Sequence, residues 1–333
     1  MEGLLLAVTA VVVTYNSGAV IRACIDALHR HAPEVAIVVV DNASSDDTVA
    51  VVRSCSNIWS NVQCIANPSN LGFAAAVNQG VNQGVNQSVK QNPPTSTSAD
   101  FFLILNPDVQ LSTPLDALVD ACRIHGIAAG QLTDSSGDPQ AGFTIRRLPT
   151  ATALAFELLG LNRLWKSNPV NRHYRYLDRD LQQPGPVEQP AGAFLLVRRD
   201  VWDRLHGMDE TFYPVWFEDV DFCRRALDMG YTIEYVPSVT ALHQGGHSVG
   251  VLPPGCRALY WCDSLLRYGA KHFQSGPYRG VCVAVLLGSV ARGLAGIVRE
   301  RNLELFTVSM RIAKGATRRI LSVQTRQAAG CGD

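Results

Sequence analysis

At 333 residues, 47% hydrophobic and 17% charged, the chain is too apolar for disorder and long enough for one large or two ordinary domains. Lysine plus arginine and aspartate plus glutamate both total 29, so no bulk charge invites nucleic acid. Nine cysteines occur without a Cys-x-x-Cys pair, which argues for reduced thiols in a cytosolic protein and against a disulfide framework.

The first half alternates buried-strand patterns with helical ones. Leu6 to Val13, Val35 to Val40, Val62 to Ala66 and Phe101 to Leu105 read as strands. Val20 to Arg30, Thr48 to Ser54 and Phe73 to Val89 read as the helices between them. This rhythm predicts βαβ units and a mainly parallel sheet. The run Leu4 to Val13 follows Glu2 with no basic flank, so it reads as a first strand and not as a signal peptide; export is not expected. Ser44 to Asp47 carries a capping-box pattern, and Thr113 to Asp116 repeats it with proline at the first helical position. Val77, Val81, Val85 and Val89 lie four apart and form one helical stripe, although Gly80 and Gly84 each cost about 1 kcal/mol against alanine. Gln91 to Ala99 reads as a surface loop.

Each strand ends in polar residues with a use. Thr14-Tyr15-Asn16 follows the first, Asp41-Asn42 the second, Asn67 to Gly72 the third and Asn106-Pro107-Asp108 the fourth. In open α/β sheets ligands bind past the carboxyl ends of the strands. An aromatic ring for stacking, an acid for base or ribose, a glycine-bearing loop for phosphate and a carboxylate for a metal together describe a nucleotide-diphosphate pocket. Asn-Pro-Asp is also an ordinary turn, since proline stops the ladder, and alone it does not choose.

The second half has isolated strands at Gly126 to Gly130, Gln140 to Ile145 after a turn at Ser136 to Pro139, Ala193 to Val197, Tyr231 to Val236 and Val239 to Leu242. Phe217-Glu218-Asp219-Val220-Asp221 opens a helix that stops at Gly230. Asp221 can pair with Arg224 or Arg225 one turn on. Glu218 and Asp219 stand among Tyr213, Trp216 and Phe217, where desolvation raises a carboxyl pKa toward what a general base needs.

Six segments then carry a family resemblance: Val11 to Asn16, Asp41 to Asp46, Asn70 to Asn78, Leu105 to Asp108, Trp216 to Arg225 and Pro237 to His243. In this order they resemble the family 2 glycosyltransferases of GT-A fold, especially the bacterial rhamnosyltransferase-like branch. The likeness runs from residue 8 to about 273. It implies a nucleotide-sugar-binding half at 1–112, an acceptor-binding half of the same domain at 113–273, and a helical extension at 274–333. The implied fold is α/β, a mainly parallel central sheet with helices on both faces.

The resemblance also implies an activity: inverting transfer of a sugar from a nucleotide-diphosphate donor to a hydroxyl of a glycan or lipid-linked glycan, as in cell wall or polysaccharide synthesis. dTDP-rhamnose is the expected donor. Thr14, Tyr15, Asn16, Asp41 and Asn42 would hold the nucleoside, and Asn70, Gly72, Phe73 and Asn78 would lie against ribose and diphosphate. Asp108 would bind Mg or Mn. Asn106 stands where the fuller acidic motif begins with Asp, which resembles the rhamnosyltransferase variant. His243 would complete the metal or diphosphate site, with His247 a nearby second candidate. Asp219 would be the general base, with Glu218 beside it. Gly192 and Ala193 would let the backbone approach donor or acceptor, and Arg224 or Arg225 would steady the diphosphate or balance Asp221.

Beyond the likeness, Val281 to Val290 is apolar all round for ten residues before Arg292 intrudes, so a buried or interfacial helix is expected in place of a spanning one. Arg299 to Asp333 holds seven basic and three acidic residues, a net of 7 − 3 = +4. That tail suits the inner face of the plasma membrane, where a lipid-linked acceptor is found, or a helix packed on the domain. Two other functions remain open: a nucleotidyltransferase, and a non-catalytic nucleotide-binding module. A NAD dehydrogenase is excluded because no Gly-x-Gly-x-x-Gly follows the first strand.

Overall fold

β1 (Val8–Thr14), β2 (Ala36–Asp41) and β4 (Phe101–Leu105) are buried along almost their full length, as strands covered on both faces must be. These elements come from a computed structural model that describes residues 7–90, 99–245, 250, 252–300 and 303–329. The expected loop from Gln91 to Ala99 therefore lies almost wholly outside the described residues, as does His247. With β3 (Val62–Ala66), the strands lie in the order β3-β2-β1-β4, all parallel. The helices α1 (Gly18–His31), α2 (Thr48–Ile58) and α3 (Phe73–Lys90) connect them. The glycines of the valine repeat have a packing reason. A Cβ on Gly80 would stand 2.4 Å from Val11 Cγ1, and one on Gly84 would stand 2.8 Å from Thr9 Cγ2. Glycine here lets α3 lie directly on β1.

The remaining strands are β5 (Val109–Leu111), β6 (Gly126–Thr133), β7 (Ile145–Arg146), β8 (Gly185–Val187), β9 (Gln189–Pro190), β10 (Phe194–Arg198) and β11 (Thr232–His243). Between them run α4 (Asp116–His125), α5 (Ala151–Leu158), α6 (Leu161–Leu164), α7 (Pro169–Tyr174), α8 (Arg199–Leu205) and α9 (Glu218–Asp228). The main sheet continues β4-β10-β6-β11-β5, with β8 also on β11, while β7 pairs β9 separately. β10 is antiparallel to both its neighbours, and β11 is parallel to β6 but antiparallel to β5 and β8. The parallel pattern thus belongs to the first four strands, and the second half is mixed.

Several local expectations are corrected. Gln140 to Ile145 is not a strand: Gly142 sits at φ 71° and turns the chain, leaving only Ile145–Arg146 extended. Tyr231 to Val236 and Val239 to Leu242 are one strand, β11, with an irregular register between Val236 and Thr240. Neither capping box forms. The N-cap of α2 is Asp47, without a side-chain bond, because Ser44 bonds Asp41 and Asp46 takes the Thr48 N–H. α4 begins at Asp116 with Leu115 as N-cap, since the Thr113 hydroxyl accepts from Thr240 N–H across the sheet at 2.9 Å.

The chain divides into two compact units. The first comprises the described residues of Met1–Arg147, Arg179–Pro214 and Glu218–Val251, and contains the whole sheet. The second comprises those of Leu148–Asp178, Val215–Phe217 and Leu252–Asp333. It is helical, built from α5 to α7 and from α10 (Pro254–His272), α11 (Ser275–Glu300) and α12 (Leu303–Ala329). The ten-residue apolar run is thus part of a 26-residue helix. Its Ser275–Val298 stretch is long and apolar enough to cross a membrane by length and composition, and 44% of that window is buried inside the protein. Arg292 does not interrupt it, because its guanidinium donates to Leu158 O at 3.1 Å and to Ser289 Oγ at 3.3 Å. Gly293 and Gly296 meet Ser309 and Leu305, which closes α11 on α12, and Arg319 of α12 bonds Asp263 of α10 at 2.7 Å.

Candidate active site

The carboxyl ends of β1 and β2 meet through register Thr14↔Asp41. Asp41 is 1% exposed. Its Oδ1 accepts from Thr14 Oγ1 at 2.8 Å and from Ser44 Oγ, and its Oδ2 accepts from Ser44 N–H at 2.9 Å. Asn16 takes the left-handed φ of 50°, donates its N–H to Ser44 Oγ at 2.8 Å and accepts from Ser45 N–H at 2.7 Å. Tyr15 follows with its N–H on Ser17 Oγ at 3.3 Å. Asn42 reaches the loop after β3. Its amide donates to Gly72 O at 3.0 Å and its oxygen accepts from Asn67 Nδ2 at 3.2 Å. Asn70 Oδ1 accepts the Gly72 N–H at 2.9 Å, and Gly72 (φ 86°) has no room for a Cβ, which would fall 2.9 Å from Tyr213 Cδ2. Phe73 opens α3 with its N–H on Pro214 O at 2.8 Å. Thr14 to Asn16, Asp41, Asn42 and Asn70 to Phe73 therefore form one network at one sheet edge.

Two residues of the expected donor set are engaged elsewhere. Asn78 holds the 207–210 loop, donating to Met208 O and Glu210 Oε1, each at 2.9 Å, and accepting Met208 N–H at 2.9 Å. Arg224 bonds Asp228 at 2.9 Å, while Arg225 takes the buried Asp221 at 2.7 Å.

Asp108 and His243 are brought together by the antiparallel pairing of β5 and β11, whose register sets His243 opposite Val109. Both are buried, and His243 Nε2 lies 3.6 Å from Asp108 Oδ1. Asn106 shapes the turn between β4 and β5: its N–H donates to Ala193 O at 3.1 Å, and its own carbonyl accepts from Val109 N–H at 3.2 Å. Gln140 decides the state of the histidine. Its amide nitrogen donates to His243 O at 2.8 Å, which turns its oxygen toward His243 Nδ1 at 2.9 Å. A carbonyl oxygen accepts only, so Nδ1 carries the proton and Nε2 keeps its lone pair. Burial pulls the imidazole pKa below its usual value, against the opposing charge of Asp108. Nε2 is buried and makes no hydrogen bond. A neutral nitrogen lone pair aimed at a carboxylate, with a carboxamide behind it, is a donor set suited to a divalent cation. Among the described residues no three His, Cys, Asp or Glu side chains converge on such an ion.

The acid pair opens α9. Trp216 and Phe217 precede it at φ 78° and 69°, a left-handed conformation that bulky residues adopt only under strain. Glu218 is 5% exposed and its Oε2 has no hydrogen-bond partner. Burial, with the Asp219 charge second, pushes its pKa well above the ordinary glutamate value. Asp219 is half-buried and better supported. Its Oδ2 accepts from Gly192 N–H at 3.0 Å and Gln189 Nε2 at 3.4 Å, and its Oδ1 accepts from Val220 N–H at 2.8 Å. Burial still raises its pKa, opposed by the Gly192 and Val220 amides and by the Arg146 charge. The need for glycine at 192 is steric, since a Cβ there would stand 2.9 Å from Asp219 Cβ.

Sequence reasoning missed the segment that serves both acid sites. Gln140 clasps His243, Phe143 stacks on its ring at 5.0 Å and 19°, and Arg146 lies over Phe143 at 5.7 Å while its charge acts on Asp219. The Arg146-Arg147 pair was the one available signal, a double charge directly after what reads as a strand.

A profile described as Glycosyl transferase family 2 matches residues 9–114. The N-acetylglucosaminyl-diphospho-decaprenol L-rhamnosyltransferase of Mycobacterium tuberculosis is 30% identical over 287 residues, covering 84% of this chain and 89% of that protein. Among solved structures, GalNAc-T7 with UDP, GalNAc and Mn2+ superposes with a TM-score of 0.52 at 14% identity, covering 73% of this chain and 44% of that one. The mannosyltransferase PcManGT from Pyrobaculum calidifontis, in complex with GDP-Man and Mn2+, superposes with a TM-score of 0.50 at 15% identity, covering 94% and 86%. At these identities the structures establish a shared GT-A fold. The profile and the relative define a sugar transferase. The chain belongs to the family 2 glycosyltransferases, in their rhamnosyltransferase-like branch. The nucleotidyltransferase and binding-module alternatives fall with that assignment.

Proposed function

We propose that the enzyme transfers rhamnose from dTDP-rhamnose, with inversion, to a hydroxyl of a lipid-linked glycan at the cytoplasmic membrane face. The carrying observation is Asp219, a half-buried carboxylate whose Oδ2 is oriented by the Gly192 N–H. The two neighbouring acids differ in environment, and this supports a division of roles. Glu218 is buried and without a partner at Oε2, and burial pushes its pKa well above the ordinary glutamate value, which favours its neutral form. Asp219, held by backbone amides, is the one that accepts the acceptor hydroxyl's proton. Thr14 to Asn16, Asp41 and Asn42 hold the nucleoside, and the Asn70 to Phe73 loop lies against ribose and diphosphate. Asn78 and Arg224 then act from outside that contact, one holding the 207–210 loop and the other bonded to Asp228.

Asp108 and His243 would hold Mg or Mn, which when bound supplies positive charge to the departing diphosphate. The lone pair that Gln140 leaves on Nε2 supports this reading. The relative's name specifies a polyprenyl-diphosphate-linked sugar as acceptor, and the apolar, exposed Val283, Leu287, Leu294 and Val298 of α11 support membrane contact for this chain. The test is mass spectrometry of products from a panel of nucleotide sugars with a polyprenyl-diphosphate N-acetylglucosamine acceptor. One added deoxyhexose from dTDP-rhamnose is expected. A hexose from a UDP-sugar, with none from dTDP-rhamnose, overturns the donor assignment.

A further inference from the structure

The turn after α5 has its polarity inverted. Leu164 is 85% exposed and Trp165 59%, with Leu159 and Leu161 also exposed, while Asn162, Asn168 and Asn171 on the same stretch are buried. The buried amides pin the turn. Asn168 Nδ2 donates to Trp165 O at 2.6 Å and to Asn162 Oδ1 at 3.0 Å, Asn162 Nδ2 donates to Glu157 Oε2 at 2.8 Å, and Asn171 Nδ2 donates to Lys166 O at 2.7 Å. Asn168 also caps α7 through Asn171 N–H at 2.8 Å. An ordinary surface turn exposes its amides and buries its leucine and tryptophan. Here internal hydrogen bonds hold the backbone so that the apolar side chains face outward.

Within the stretch that carries this wedge the charge has one sign, with Glu157 and Asp178 as the flanking acids. From Leu159 to Leu177 there are four basic residues, Arg163, Lys166, Arg172 and Arg175, and no acid. Arg175 is paired with Glu157 at 3.2 Å, while Arg163, Lys166 and Arg172 are exposed. An apolar tip carrying tryptophan, ringed by lysine and arginine, matches the boundary of an anionic bilayer, where the indole and leucine enter the headgroup region and the cations meet lipid phosphate.

We infer that Leu164 and Trp165, with the basic residues around them, form a wedge that inserts into the surface of an anionic membrane. This rests on the reading of a lipid-linked acceptor, but vesicle binding is measured with neither donor nor acceptor present, so the two can fail separately. The full chain is sedimented with vesicles of phosphatidylcholine containing phosphatidylglycerol, and with phosphatidylcholine alone. Binding to the anionic vesicles is expected, with Leu164→Ser/Trp165→Ser weakening it at least about tenfold and leaving dTDP binding unchanged. In a second readout, acyl-brominated lipid quenches wild-type fluorescence more than that of Trp165→Phe, which keeps the fold. Equal sedimentation of wild type and double variant, no binding to the anionic vesicles, or equal quenching of wild type and Trp165→Phe overturns the inference. So does a dimer in sedimentation velocity that the double variant abolishes, because a second copy would then cover the wedge.

Discussion

Two adjacent carboxyl groups in α9 face different surroundings, and their chemistry should separate accordingly. Asp219→Asn preserves shape and one acceptor oxygen, which can keep one of the Gly192 and Val220 hydrogen bonds, but cannot accept a proton. A kcat loss of at least about 100-fold is expected, with dTDP affinity within a few fold of wild type. A larger loss for Glu218→Gln than for Asp219→Asn would move the base to Glu218. Glu218 itself predicts a stability effect. Its folded pKa is raised, so between the ordinary value of 4.5 and the folded value the native state binds more protons than the unfolded chain. Stability is fully present below the ordinary value and is lost as pH rises through this interval. Glu218→Gln, isosteric with the protonated acid, should therefore match the wild-type Tm in acid and exceed it in alkali. Parallel Tm curves for the two proteins would contradict the assignment.

The elements of the first half of the chain were legible because their signals are local. Val62 to Ala66 and Phe101 to Leu105 are the observed strands to the residue, since the one is apolar but for Gln63, the other is apolar throughout, and both end at polar turns. The elements that were misread depend on distant partners. Thr113 looks like a cap, yet its hydroxyl is taken by a strand 127 residues away. Gln140 looks like the start of a strand, yet its amide is committed to His243, 103 residues on. The α6 wedge gave no sequence signal, because nothing local shows that Asn168 is buried and Trp165 exposed. The segment between β6 and β7 makes its own prediction. Gln140→Ala releases Nδ1, so the imidazole loses its fixed tautomer; Mn2+ affinity, read by electron paramagnetic resonance in the absence of donor, should fall about 10- to 100-fold. Unchanged affinity would mean that Gln140 only braces the turn.

Across the whole molecule, two compact units carry different chemistry. The sheet-containing unit holds the network of Thr14 to Asn16, Asp41, Asn42 and Asn70 to Phe73, the Asp108–His243 pair and Asp219. The helical unit holds the apolar stripe of α11 and the wedge at Leu164 and Trp165. The proposed base on the acceptor and the proposed charge stabilisation of the leaving group call for a single displacement, in which the acceptor oxygen would approach from the face opposite the departing diphosphate. That geometry fixes the stereochemistry. NMR of the product formed from dTDP-rhamnose carbon-labelled at the anomeric position should show a glycosidic bond of configuration opposite to that in the donor. Retention of the donor configuration would contradict the mechanism and require a nucleophile in place of a base.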